Sequence, residues 1–474
     1  MAAVPLPVTS SPGSAPQEGA GRLINCYCVK TEQGASTPLK WLRSPGLGTL
    51  VTDATHAGLR GAIEHNATVI LLMGERARLL AKSGALYTIT DLGALSGTDL
   101  ATVAKNGVPS PGTAIVAVTS AGAFNLSTIG APSNFADSDL PPPNSVSNVK
   151  GYLTFTIAEG RIFCTDLNAV TVNALSYTTA PGPLLRGVSY RDQFFAFGSD
   201  FCQVYADRGL TPFPLELQTT IPIGIAGTHA AAGWEPGFTG SLAFVAQDDR
   251  VYRLDGYTPQ PISTEDVSRD IASTPDKSVL EASVYMANGN AFWCLTRPAH
   301  WSWECNLNTG TWNERRSYGA NCWRVSRTIK AFSRWIAGDR ATGAVFEIDP
   351  AAQREGDDPL VLEIVSGTVA AFPDALQAPR LKVNMVAAAG SAAGADPIET
   401  DPQLEIAWSR DGGYRFGTPV LRAIGREGEG RRAIAVNRLG LAADKGYRFR
   451  LRVSDPRPVI LFGADIGNPE RRTA

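Results

Sequence analysis

A strand–turn–strand hairpin recurs along the first three quarters of the chain, and no other feature narrows the fold as much. The copies lie at 67–90, 114–130, 151–172, 192–209, 240–263, 287–316 and 333–350. Their starts are 47, 37, 41, 48, 47 and 46 residues apart. A lone hairpin is marginal in water. Four-stranded blades packed around an axis bury both faces of each sheet and leave only short edges. A period of 40 to 50 residues therefore predicts a β-propeller. Seven hairpins predict seven blades, or six if one copy belongs to a closing or inserted element.

The flanks differ from the repeats. Residues 1–20 are rich in Pro, Ser, Gly and Ala. They carry little apolar area and are expected to form a flexible arm. The propeller, with an N-terminal lead-in, is expected over 21–350. A polar linker, Ala351–Pro359, follows. Beyond it, six strand-like runs begin with LVLEIV and end with PVILFGADI. They predict a small antiparallel β-sandwich-like domain over 360–474. The whole chain is thus expected to be all-β. The clearest helix is about 264–272, with Ser263 placed to cap it and Glu265 and Asp266 suited to its N-terminal end.

Composition removes several function classes. The formal net charge is −2, from 43 Lys and Arg against 45 Asp and Glu, unlike the strongly basic balance of a dedicated nucleic-acid binder. No apolar run is long enough for a membrane span. The N-terminus has neither the basic nor the apolar region of a signal peptide. With seven cysteines, an odd number, reduced buried thiols are expected. The four histidines are scattered at 56, 65, 229 and 300. No phosphate-binding glycine loop, nucleophile elbow or zinc-protease helix occurs. Cys294, His300, Cys305 and Cys322 lack the closely paired cysteines of a structural zinc knuckle. No catalytic, cofactor or metal residue is assigned.

Two clusters invite a functional reading. Six of the nine tryptophans fall between 293 and 335. They suit either a sugar-binding platform or a filling between blades. Ser409, Asp411, Gly413 and Phe416 fit the Asp-box hairpin of sialidases and related propellers. That is a structural turn, in which Ser and Asp bond backbone and Gly permits positive φ. Charge is also uneven. Residues 347–409 hold 11 acidic and 3 basic side chains, and 410–474 hold 14 basic and 7 acidic. Strand alternation places Arg448, Arg450 and Arg452 on one face, with Tyr447, Phe449, Leu451 and Val453 on the other. Those arginines, with Arg431 and Arg432, are candidate interface residues. Either the acidic strands lie beside them, or a neighbouring subunit or DNA does.

Several short motifs in order carry a family resemblance. Near the start stand Ile24-Asn25-Cys26-Tyr27, Leu42-Arg43-Ser44-Pro45-Gly46-Leu47 and Gly58-Leu59-Arg60-Gly61-Ala62. Leu86-Tyr87-Thr88-Ile89, Asp91-Leu92-Gly93 and Lys105-Asn106-Gly107 follow. Val251-Tyr252-Arg253-Leu254-Asp255-Gly256 and Ile262-Ser263-Thr264 lie mid-chain. Trp408-Ser409-Arg410-Asp411-Gly412-Gly413, Arg438-Leu439-Gly440 and Arg452-Val453-Ser454-Asp455-Pro456 come late. Over roughly 22–466 this order resembles the packaged-DNA-stabilisation proteins of short-tailed bacteriophages, also called tail accessory, tail hub or nozzle proteins. The resemblance implies a non-enzymatic virion protein without cofactors, assembled in the host cytoplasm. It implies a homo-oligomeric ring, expected to be a hexamer, below the portal and adaptor. That ring extends and closes the DNA channel and carries the tail needle and fibres or spikes. Packaged DNA is held there without sequence-specific contact. The alternatives are a sugar-binding propeller, lectin or sialidase-like, and an intracellular propeller scaffold.

Overall fold

The computed structural model describes residues 2–394 and 396–472. Seven antiparallel four-stranded blades lie in chain order at 59–94 (blade 1), 102–134 (blade 2), 145–179 (blade 3), 186–221 (blade 4), 231–261 (blade 5), 281–314 (blade 6) and 325–349 (blade 7). Each recurring hairpin of the sequence contains the second and third strands of one blade. Blade 7 contributes only three strands of its own. Its fourth, Gly46–Thr52, comes from before blade 1 and pairs Ile348 with Leu47 and Val345 with Val51. The blade number is therefore seven, and the ring is closed by hydrogen bonds between its two ends.

Local chemistry explains the hairpins. In blades 1, 3, 4, 6 and 7 the first two strands are joined by two-residue turns, among them His65↔Thr68, Tyr190↔Gln193 and Ala331↔Arg334. Both turn residues have positive φ, as at Asn66 and Ala67 (49° and 55°) and Asn288 and Gly289 (49° and 72°). That is the turn whose twist matches the strands it joins. A continuous apolar run then buries both faces, as in Val69 to Met73, all fully buried.

The remaining strands build a sandwich. One of its sheets continues blade 6. Outward from Thr311–Glu314 it runs Arg22–Ile24, Leu362–Val365, Arg448–Val453, Gln403–Ser409 and Val420–Ala423, nine strands with the blade. The opposing sheet orders Cys26–Lys30, Leu39–Arg43, Ile460–Ile466, Arg380–Met385 and Ile434–Asn437, with Ala2–Ala3 also on Ile460–Ile466. All six strand runs expected beyond 359 are present. They share one core with Val4, Leu23, Cys26, Cys28 and Trp41.

The domain boundaries therefore differ from those expected. The lead-in is divided: Arg22–Ile24, Cys26–Lys30 and Leu39–Arg43 complete the two sandwich sheets, and Gly46–Thr52 closes blade 7. The linker is tied down: Glu355 is 1% exposed and pairs with Leu47 beside the closing strand. The arm is packed rather than flexible. Val4 N–H donates to Ala464 O (2.8 Å), Ser10 N–H to Trp312 O (2.6 Å) and Trp41 Nε1 to Pro7 O (2.7 Å). Composition misjudged it because the arm contributes backbone hydrogen bonds more than apolar area. The helix Glu265–Ala272 is capped by Thr264, whose hydroxyl accepts from Val267 N–H (3.4 Å). Ser263 instead accepts from Val251 N–H (3.1 Å). Among the described residues no helix is long and apolar enough to cross a membrane.

Candidate functional site

The expected interface residues divide into three environments. Tyr447, Phe449, Leu451 and Val453 line the sandwich core. On the other face Arg448 turns inward and is 4% exposed. Its Nε donates to Ser366 O (2.8 Å), its Nη2 to Gly19 O (3.4 Å) and its Nη1 to Pro16 O. Burial lowers its pKa. Arg448 therefore holds the arm to the sandwich, a correction to its reading as a surface for partners. The physical reason is that the arm's carbonyls, not an external anion, satisfy the guanidinium.

Arg450 stacks on the Phe416 ring, 5.0 Å from its centroid. Arg452 sits in register between Glu363 and Glu405, with Nη1 3.9 Å from Glu405 Oε2. The acidic strands of 347–409 thus lie beside the arginine strand. Arg431 and Arg432 are exposed on the separate segment that precedes Ile434–Asn437, where Arg432 pairs with Glu429 (2.8 Å).

The Asp-box turn is built as its residue types suggest. Ser409 Oγ donates to Asp411 Oδ1 (2.5 Å) and accepts from Gly413 N–H (2.8 Å). Asp411 Oδ1 also accepts from Arg415 N–H (3.0 Å). These bonds, led by the Ser409 hydroxyl, hold the Asp411 carboxyl below its ordinary range. Gly413 has φ 108°, and a Cβ there would stand 2.7 Å from Arg448 Cδ. A glycine is thus required for the turn and for the arginine's approach. Phe416 lies half-buried under Arg450. The arm, this turn and the arginine strand enclose a cleft of about 330 Å³, lined by Gly13, Pro16, Gly413, Phe416, Arg448 and Arg450 among others.

Sequence reasoning missed two anchors. Asp266, on the helix below blade 5, accepts from Ser11 Oγ (2.8 Å) and Gly13 N–H (3.0 Å) and so fixes the arm from the propeller side. Arg315 is wholly buried at the propeller–sandwich junction, 3.8 Å from Glu304 and 3.6 Å from Glu355. It also donates to Pro45 O and lies over Trp323, 4.9 Å from the ring centroid. The adjacent pair Arg315 and Arg316 looks like a solvated turn in sequence, so no local signal marks it.

Trp293, Trp303, Trp312 and Trp323 are at most 2% exposed within a single core. Buried rings cannot stack on a sugar, so of the two expected roles these four tryptophans take packing. The seven cysteines are free and buried. Among the described residues no group of three or more His, Cys, Asp or Glu could hold a metal ion.

Residues 24–353 match the family model described as Phage_stabilise, bacteriophage P22 Gp10, β-propeller. No curated protein matches the chain. Among solved structures, the WD40 β-propeller domain of Doa1 is similar at 10% identity over 64% of this chain and 96% of that one, with a TM-score of 0.43. PorZ, a surface component of the type-IX secretion system of Porphyromonas gingivalis, is similar at 14% identity over 71% of this chain and 44% of that one, with a TM-score of 0.38.

Proposed function

We infer the role of the chain from one premise: it belongs to the phage-stabilisation family of the bacteriophage P22 Gp10 β-propeller, and is accordingly a phage structural protein. In this reading it is a tail hub or nozzle subunit of the virion. Copies of it form a ring, a hexamer by expectation, that extends the DNA channel below the portal and adaptor and closes it after packaging. The ring also carries the tail needle and fibres or spikes. The match across the whole propeller is the observation that carries this proposal.

Two physical features support it. The nine-stranded sheet joins propeller to sandwich where Ile24 pairs with Glu314 and Asn25 N–H donates to Glu314 O (2.8 Å), a tie suited to a ring under load. The net charge of −2 is far from the strongly basic balance with which proteins bind phosphate tightly through counterion release. DNA can then be held sterically and still leave.

Disrupting the gene in the parent phage tests the proposal. Expected are heads that fill with DNA and then lose it, with tails lacking their distal parts. Particles that retain DNA and infect normally would reject the role.

A further inference from the structure

Each blade ends in an edge strand, and a free edge invites pairing with another chain unless it is covered, shortened or charged. Six of the seven edges here are managed in one of these ways. That of blade 6 is covered by Arg22–Ile24, and the closing strand of blade 7 by Glu355 on Leu47. Blade 2 has a two-residue edge, Ser133–Asn134, and the edge of blade 5, Thr258–Pro261, contains Pro259 and Pro261. Blade 1 carries Asp91, paired with Arg78 (2.9 Å), and blade 4 carries Glu216, paired with Arg208 (3.2 Å). The edge strand of blade 3, Val172–Thr179, has neither a charge nor a proline in its eight residues. A bulge opposite Cys164 puts Asn173–Ser176 out of register and discourages strand addition. It leaves apolar side chains uncovered: Leu175 is 66% exposed and Tyr177 41%.

Charge indicates what fits this edge. Asp137 Oδ2 accepts from Val172 N–H (2.8 Å), and Asp166, just before the strand, accepts from Thr171 Oγ1 (3.3 Å). Neither carboxylate is ion-paired among the described residues. Residues 131–220 hold 8 acidic and 5 basic side chains, and one of the five, Arg186, is engaged by Thr228 O (2.9 Å) at the axis. The opposite balance stands at the free end of the sandwich. Its two sheets end there in Val420–Ala423 and Ile434–Asn437. Residues 420–438 hold 5 basic and 2 acidic side chains. Arg426 and Arg431 are exposed without an ion pair among the described residues, and Leu421 of the edge strand is 57% exposed.

Seven blades in chain order put blade 3 across the axis from blade 6, which carries the sandwich. The two surfaces therefore lie on opposite sides of one chain. Each repels a copy of itself and attracts the other. A head-to-tail contact of this kind repeats from copy to copy, as a ring requires.

We propose that the outer edge of blade 3 docks the free end of the sandwich of a second copy of this chain. Leu175 and Tyr177 meet the surface around Leu421, and Asp137 and Asp166 face the charges of Arg426 and Arg431. The contact rests on the ring of the proposed function and supplies the surfaces that close it.

Sedimentation velocity of the full-length protein, at concentrations up to about 100 µM, tests this. Expected is concentration-dependent association. Leu175→Asp, and Arg426→Glu combined with Arg431→Glu, should each weaken it by about tenfold or more. All three side chains are exposed, so the substitutions leave the fold in place. The first variant keeps its sandwich end and the second its blade 3 edge. Mixed together, they should form one-to-one pairs that grow no further. Association that neither variant weakens, or a mixture that forms no pairs, would overturn these surfaces and leave the ring standing. A parent chain that stays monomeric would overturn the self-contact, while gene disruption in the phage decides the tail role separately.

Discussion

Replacing Arg315 by Met should weaken the junction between propeller and sandwich more than any surface change. Arg315 and Glu304 are wholly buried and Glu355 is 1% exposed. One guanidinium thus serves two carboxylates. Neutral donors remain for both: Tyr285 Oη (2.5 Å) and Asn313 Nδ2 (3.0 Å) for Glu304, and Ser317 Oγ (2.5 Å) and Trp323 Nε1 (3.0 Å) for Glu355. Removing one partner of a buried pair costs about 3–5 kcal/mol, a large share of a typical domain stability of about 5–15 kcal/mol. The loss should depend on pH. Burial already raises the Glu355 pKa, and Arg315 opposes that rise. Without Arg315 the pKa moves further up. A carboxyl with a raised folded-state pKa favours the fold below its unfolded value and loses that advantage as pH rises through the folded one. The deficit should therefore be smallest near the unfolded Glu pKa of about 4.3 and grow toward neutral pH. Guanidinium unfolding followed by tryptophan fluorescence reads it directly, since Trp323 touches the network. A variant within about 1 kcal/mol of the parent at pH 8, well under the range for a broken buried pair, or an equal deficit at all pH values, would refute the reasoning.

Other outcomes follow from the same contacts. Arg448→Ala should cost about 1.5–3 kcal/mol, the range for hydrogen bonds to a charged group, and should free the arm for proteinase K cleavage before residue 20, read by intact mass. Arg452→Gln should change stability by no more than about 1 kcal/mol, because its pair with Glu405 is long and its side chain 41% exposed; a loss near that of Arg448→Ala would show that the two arginines share one role. A thiol reagent at pH 8 should label none of the seven cysteines in the native protein and all seven after denaturation, since burial shields them and pushes Cys28 and Cys164 up to about 12. Gly338→Val should open the ring where it closes, because a Cβ there would stand 2.2 Å from Leu59 of blade 1; unchanged melting would contradict that packing.

The blades were legible because a blade's central hairpin is local. The strands 68–73 and 76–83 announce themselves by apolar runs on either side of a tight turn. The six C-terminal strands were legible for the same reason. What pairs at long range was not. Gly46–Thr52 has no local mark of belonging to a blade some 300 residues later, and Arg22–Ile24 gives no sign of joining Glu314 to Glu363. The arginine strand shows the same limit at the candidate site. Alternation correctly sorts its two faces, yet Arg448 and Arg452 look equivalent in sequence. Only the arm's carbonyls, brought by a docked segment that composition describes as free, bury the first and leave the second exposed.

The most direct test of the tail reading is a cryo-EM map of the purified parent virion. Expected is a ring of these chains at the tail vertex, below the portal, each chain a seven-bladed propeller and a sandwich joined through the blade 6 sheet. A map in which the chain is absent from the tail, or in which propeller and sandwich occupy separate, independently oriented densities, would contradict it.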